Sequence, residues 1–457
     1  MTARLLLVLA LSTLGCGART GLSVPAGASP QDDAGVAEPP PVDAGADVVI
    51  PMSCTPKGSP GSVAWQLALD QGAMTDAGAI VFTGPWAADA TGATYYLGAV
   101  GRAPRTYSVV AVDACGRALW RTDGTPSGPV NQARPTILID GDAVIVQLGS
   151  VDAFDRGTGS HLWNVSLDAL AGENLAVDDQ AEIGPSAAAA DGTVYVAFET
   201  ASTTTIAAIT PAGAPSIVST TRDQGDLISL ILDAAAHLDI LINSALKGSY
   251  VESFTRGGTA AFASSFSCQT GFLGPLASAN RFLIMQSGPC VLSLQGTPAF
   301  TLSPAPDATD FAAIVVDAQD NLYVSESTAA AASYDASGRR RWSVPLAHFA
   351  VGGPVVADSG ELVLLEADLS ARPITGVTVA ALATASGKTV WSRDVPTAGD
   401  LAILGSTPFL LTRAQQIVFG VGGNVVEALV AGAGPDVAAA WPTPSGGVDG
   451  RNAARGQ

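Results

Sequence analysis

Between residues 54 and 430 the chain alternates two kinds of stretch. One is a short apolar run, commonly entered from Asp or Gly. It recurs at residues 94–97, 143–146, 194–196, 239–242, 282–284, 322–324, 362–365 and 409–411. Such runs, rich in Val, Ile, Leu, Tyr and Phe and bounded by turn formers, predict β-strands. The other stretch is a turn with a large apolar return. It is clearest at residues 333–342, where Asp335, Gly338 and Trp342 follow the pattern apolar-Asp-x-x-Gly-x-x-x-Trp. Asp113, Gly116 and Trp120 repeat it. Asp155, Gly159 and Trp163 do so with one inserted residue, Gly387 and Trp391 without the Asp, and Gly61 and Trp65 as the bare pair. Five of the seven tryptophans thus stand four residues after a glycine, which makes the pattern a repeat.

Each unit predicts a β-hairpin. The Asp carboxylate accepts backbone N–H groups in the turn, and Gly supplies the positive φ that the turn needs. The Trp then returns on the next strand and fills the gap between neighbouring sheets. Further glycines at 213, 258 and 296 continue the series, with Ile217, Phe262 and Phe300 expected in the Trp position. Successive glycines lie roughly 40–55 residues apart, the length of a four-stranded propeller blade. The expected fold is therefore all-β: an eight-bladed (seven possible) β-propeller of four-stranded antiparallel blades. No stretch has convincing amphipathic helical periodicity. The stretch from Gly61 to Leu69 precedes the first full unit and is expected to pair with residues 417–429, closing the ring and removing a free sheet edge.

These hairpins, each after a Tyr-Val-type strand, resemble the quinoprotein-type (pyrroloquinoline-quinone-like) repeats. With the N-terminus described below, the whole is similar to propeller lipoproteins of the outer-membrane-protein assembly type. The resemblance spans about 380 residues and speaks to architecture rather than activity. Quinoprotein enzymes hold their quinone under a disulfide of adjacent cysteines, with a metal bound by carboxylate and amide groups. No two cysteines are adjacent here, and no such carboxylate and amide set can be matched. The expectation is a protein without quinone, metal or catalytic site.

Composition narrows the picture. The chain of 457 residues is 47% hydrophobic and only 14% charged, with 50 Gly and 29 Pro, which is turn-rich β composition. A net charge of −19 argues against nucleic-acid binding and against a polybasic membrane-surface mode.

Residues 1–15 read as an export signal: Arg4, then an apolar run, then Leu14-Gly15 before Cys16. This end resembles the lipobox of bacterial lipoproteins, although Thr13 stands where Leu is usual. The resemblance implies a lipid on the Cys16 thiol. Gly17 after it, rather than Asp, implies the outer membrane, on its periplasmic or surface face. Residues 16–53, rich in Ala, Pro and Asp, read as a disordered tether, residues 54–430 as the propeller and residues 431–457 as a Gly/Ala/Pro-rich tail. Cys54, Cys115, Cys268 and Cys290 permit two disulfides. Proximity favours Cys268 with Cys290 and leaves Cys54 with Cys115, but three pairings exist and free thiols are an alternative.

Other motifs resolve into structure. Ser386-Gly387-Lys388-Thr389 lacks the earlier glycine of a phosphate loop and falls on a repeat turn. His161, His237 and His348 are far apart with no metal-ligand spacing. Asp178, Asp179 and Glu182, Asp140 and Asp142, and Asp317 and Asp320 form acidic clusters in predicted loops, without a calcium-loop spacing and expected to be solvated turns. The functional expectation is a non-enzymatic, lipid-anchored envelope scaffold that binds proteins or peptides and works in envelope or outer-membrane-protein assembly. The alternative is a small-ligand or carbohydrate-binding surface lipoprotein, with a quinone-dependent dehydrogenase third.

Overall fold

The computed structural model describes residues 57–69, 86–99, 106–125, 135–172, 183–200, 203–221, 226–244, 248–265, 276–285, 290–303, 311–326, 328–370, 374, 376–396, 409–421, 425–436 and 439. Cys16, Cys54, Cys268, the 178–182 acidic cluster, the tether and the end of the tail from residue 440 lie outside the described residues.

The strands form eight four-stranded antiparallel sheets, the blades of a propeller. In each of the first seven, four strands follow one another in sequence order as A, B, C and D. Blade 1 begins at strand Trp86–Ala88, blade 2 at Thr136–Asp140, blade 3 at Ile183–Ala188 and blade 4 at Asp226–Leu232. Blade 5 begins at Leu276–Ser278, blade 6 at Phe311–Val316, blade 7 at Phe349–Val356 and blade 8 at Phe409–Leu411. The A strands of neighbouring blades touch around the ring, blade 8 against blade 1 included, so they form the hub.

Seven of the eight predicted apolar runs fall on B strands, while the eighth is the A strand of blade 8. Blade 8 takes its D strand from the start of the chain. Val63–Ala68 pairs antiparallel with Val425–Val430, placing Val63 opposite Leu429 and Ala68 opposite Val425. This is the expected closure. The only helix among the described residues is Leu167–Ala171, one short turn capped by the Ser166 side chain.

Burial follows the same layout. B and C strands such as Val194–Glu199 and Ala330–Tyr334 are buried throughout. D strands such as Arg340–Pro345 alternate between exposed and half-buried positions, because only one face meets another blade.

The seams between blades explain the repeat. A Cβ placed on Gly159 would sit 2.6 Å from the Trp120 ring, and one on Gly387 would sit 2.8 Å from the Trp342 ring. Trp65 covers Gly116, Trp163 covers Gly213, Trp391 covers Gly61, Phe262 covers Gly296 and Phe300 covers Gly338. Each ring therefore lies on the glycine turn of the next blade. The turn residue must have positive φ and no side chain, and only Gly meets both requirements.

Blade 3 departs from the expectation. Ile217 is 48% exposed, and Val218 packs in the seam against Gly258 instead. In blade 1 the D strand skips one residue between Ala118 and Trp120, a β-bulge. In blade 3 the skip falls later, between Ile217 and Ser219. Moving the bulge changes which side chain turns inward.

Candidate functional site

In an antiparallel four-strand meander the A–B and C–D turns emerge on one face of the ring. The B–C and D–A connections emerge on the other. The two faces differ in chemistry.

On the turn face, carboxylates organise the backbone. Asp113 Oδ1 accepts the N–H groups of Cys115 and Arg117, both at 2.9 Å. Asp335 Oδ1 accepts those of Ser337 and Arg339, and Asp155 Oδ1 that of Thr158 at 2.8 Å. Hydroxyl and backbone donors from Thr158 hold the Asp155 carboxyl below its ordinary range. For Asp335 the Ser337 hydroxyl does most of this.

The A–B turns carry a second repeat that the sequence reading did not separate. Asp89, Asp233 and Asp317 each accept two backbone N–H groups of their turn. Three residues on, Gly92, Ala236 and Asp320 adopt positive φ. Three residues further stands Tyr95 in blade 1 and Tyr323 in blade 6. Their hydroxyls donate to Asp89 Oδ2 at 3.0 Å and to Asp317 Oδ2 at 2.9 Å. Burial first, and then the adjacent carboxylate, raises both phenols, Tyr323 to about 12. Blade 4 carries Asp239 at this position, wholly buried, with both carboxylate oxygens lacking a partner.

Arginines close this face by pairing. Arg117 lies 2.7 Å from Asp113, Arg156 lies 3.1 Å from Asp142, and Arg281 lies 3.0 Å from Asp320. Arg256 of blade 4 reaches Asp191 and the Tyr195 hydroxyl of blade 3. Asp142, Asp317 and Asp320 therefore act within and between blades. Among the described residues no group of three or more His, Cys, Asp or Glu side chains could hold a metal ion.

The opposite face carries buried glutamates. Glu199 and Glu326 end their B strands, and Glu366 is the penultimate residue of its own. All three are buried. Burial pushes the Glu366 carboxyl upward, and it accepts the His348 backbone N–H at 3.0 Å. Beside it, blade 7 contains a cavity of about 470 Å³. Its apolar lining includes Ile374, Val377, Val395 and Pro396, and its polar lining is His348, Asp368, Thr378 and Asp394. The Thr378 hydroxyl donates to Asp394 at 2.7 Å. Four separate segments build this cavity, and His348 was the one member singled out in the sequence.

The sequence-derived residues occupy the seams rather than one pocket. Gly61, Trp65, Gly116, Trp120, Gly159, Trp163, Gly338, Trp342, Gly387 and Trp391 are distributed around the ring. His161 is exposed at its D strand, with Nε2 at 3.4 Å from Asp152. His237 lies beside Asp233 and His348 lies at the cavity, so the three histidines do not meet. Gly387 N–H donates to Ala383 O in a hairpin turn, as expected for that segment. Cys115 and Cys290 are each disulfide-bonded.

Residues 51–234 and 295–452 match the family described as outer membrane protein assembly factor BamB. The chain belongs to this family. No curated protein matches the chain. Among solved structures, BamB from Moraxella catarrhalis is 15% identical, with 81% of this chain and 99% of that chain covered at a TM-score of 0.37. Sqt1 from Chaetomium thermophilum is 13% identical, with 76% and 95% covered at a TM-score of 0.54. The same Sqt1 bound to the N-terminus of the ribosomal protein L10 gives 13%, 74% and 93%, with a TM-score of 0.50. At these identities the likeness to Sqt1 is one of fold.

Proposed function

We propose that this BamB-family chain is a non-enzymatic interaction scaffold of the cell envelope, anchored through a lipid on Cys16 and engaged in outer-membrane-protein assembly. The match to the BamB family across both halves of the propeller carries this reading. Sqt1, a propeller of similar fold, binds the terminal segment of another protein, which supports protein partners for this ring as well. The docking face is the one bearing the blade 7 cavity, whose mixed apolar and polar lining can seat a partner's side chain. Disulfides of Cys268 with Cys290 and of Cys54 with Cys115 belong to the same reading, as fasteners of an exported protein.

A second reading is supported by the cavity's size. At about 470 Å³ it falls in the range of roughly 300–1,000 Å³ typical of small-molecule sites. A glycan or other small ligand would then be the occupant.

The test is crosslinking in the envelope followed by capture and mass spectrometry. Wild type is expected to bring down outer-membrane barrel or assembly proteins, and Thr378→Arg, which fills the cavity, to lose them while remaining folded. Cys16→Ser is expected to move the protein to the soluble fraction. Capture unchanged by Thr378→Arg would remove the cavity from the docking face. An empty capture with wild type would favour the small ligand.

A further inference from the structure

Blade 4 breaks the Asp–Tyr rule at a position where the break has chemical consequences. In blades 1 and 6 the B-strand tyrosine is an O–H donor to the turn carboxylate. In blade 4 the donor is replaced by Asp239, and the turn carboxylate is Asp233. Both are wholly inaccessible to solvent. Asp233 Oδ2 and both Asp239 oxygens are buried without a well-formed hydrogen bond; beside them stand the hydroxyl of Ser253, directly opposite Asp239, and His237 Nδ1. Two ionised carboxylates cannot bond each other, since both only accept.

No arginine takes the compensating place it has in other seams. In neighbouring seams the second residue of the next blade's C–D turn is basic: Arg156 lies 3.8 Å from Asp89, and Arg256 reaches Asp191 and Tyr195. The same turn position in blade 5 is Leu294, buried in the apolar cluster shared by blades 4, 5 and 6. Arg281 of blade 5 is turned to Asp320 of blade 6. From the strand of Asp239 itself, His237 places Nδ1 3.4 Å from Asp233 Oδ2. On the adjacent strand Glu252 faces the other side, opposite Ile240 in the blade 3 seam. The Asp233 side also receives Ser278, whose hydroxyl accepts the Ala234 N–H.

We propose that Asp233 and Asp239 share one proton, with the Asp239 carboxylic acid replacing the tyrosine hydroxyl as donor to Asp233, so that the seam between blades 4 and 5 is locked by a proton. The pair then carries one negative charge instead of two. When the proton leaves for solvent, two buried carboxylates face each other with only the Ser253 hydroxyl and His237 beside them, and the seam weakens.

The sign follows from linkage. Burial and then the Asp233 charge push Asp239 well above its ordinary range, and burial raises Asp233 too. In the unfolded chain both carboxyls titrate near ~3.9. The folded state thus holds an extra proton over the interval between that value and its own raised value. The stabilisation is complete at the acid end and is lost as pH rises.

The experiment follows thermal unfolding of the full chain against pH for wild type and Asp239→Asn, whose neutral amide donates without titrating. Wild type is expected to lose Tm more steeply toward alkaline pH, the difference in slope amounting to about one proton. Infrared spectra of wild type at pH 7 are expected to contain the C=O stretch of a buried protonated carboxylic acid, reduced in Asp239→Asn or Asp233→Asn. Superimposable pH slopes, or absence of that band in wild type, would overturn the proposal. So would a drop in wild-type Tm on adding EDTA, which would mean that a cation rather than a proton sits between the carboxylates.

Discussion

An indole offers a seam two things, a large apolar face and one N–H donor. Trp342 uses both: its ring covers Gly387 and its Nε1 donates to Thr384 O at 2.8 Å. Trp120 and Trp163 do the same toward Arg156 O and Pro211 O. Trp391 covers Gly61, but its Nε1 is buried without a partner. Trp342→Phe is therefore expected to cost about 1 kcal/mol more than Trp391→Phe, since one change removes a hydrogen bond and the other removes an unmet donor. Denaturant titrations of the two variants check this, and equal losses would mean that the indole N–H bonds contribute nothing net. At this scale the sequence was highly legible. Gly and Trp at fixed spacing named most of the seam residues. Blade 3 escaped because bulge position is a matter of strand register, and neither Ile217 nor Val218 signals which one turns inward. Asp239 left a trace, an acidic residue opening an apolar run, but its meaning required the tyrosines of the sister blades beside it.

Hairpin turns show how much of a glycine's role is backbone and how much is space. Gly338 has φ of +80°, and a Cβ there would meet the Phe300 ring at 2.4 Å. Gly141 has φ of +53° with nothing within 4 Å. Gly141→Ala is expected to cost only the left-handed penalty, about 1–2 kcal/mol. Gly338→Ala adds displacement of the Phe300 ring and is expected to destabilise more, read as a lower Tm than Gly141→Ala. Similar Tm values would show that the seam yields freely. The B strands were legible as apolar runs because both faces are covered. The hub strands were less so: Trp86–Ala88 and Leu276–Ser278 are three residues long and mostly small, too short for any periodicity.

The ring as a whole depends on one non-local pairing. Val63–Ala68 covers the edge of Val425–Val430, and every other blade is continuous in sequence. Deleting residues through 69 is expected to leave that edge bare and to produce self-association, measured by light scattering across a concentration series. A monodisperse product would mean that blade 8 stands with three strands. Closure was legible because blade count and leftover strands had to balance. The blade 7 cavity was not, because it gathers His348, Asp368, Thr378 and Asp394 from segments that sequence spacing does not connect. The division of charge between the faces was hidden for a similar reason. The net charge of −19 says nothing of where arginines find partners, and they do so mainly on the turn face.

That pairing also sets a timetable. A chain made from its N-terminus produces Val63–Ala68 first among the strands of the ring and its partner Val425–Val430 last. Blades 1 to 7 can each form as soon as their own four strands exist. The clasp strand must stay unpaired through all of that, while seven blades accumulate behind it with their terminal edges open. The molecule is thus most vulnerable when nearly complete, and any factor that shields residues 63–68 during synthesis would protect the whole ring by guarding six residues.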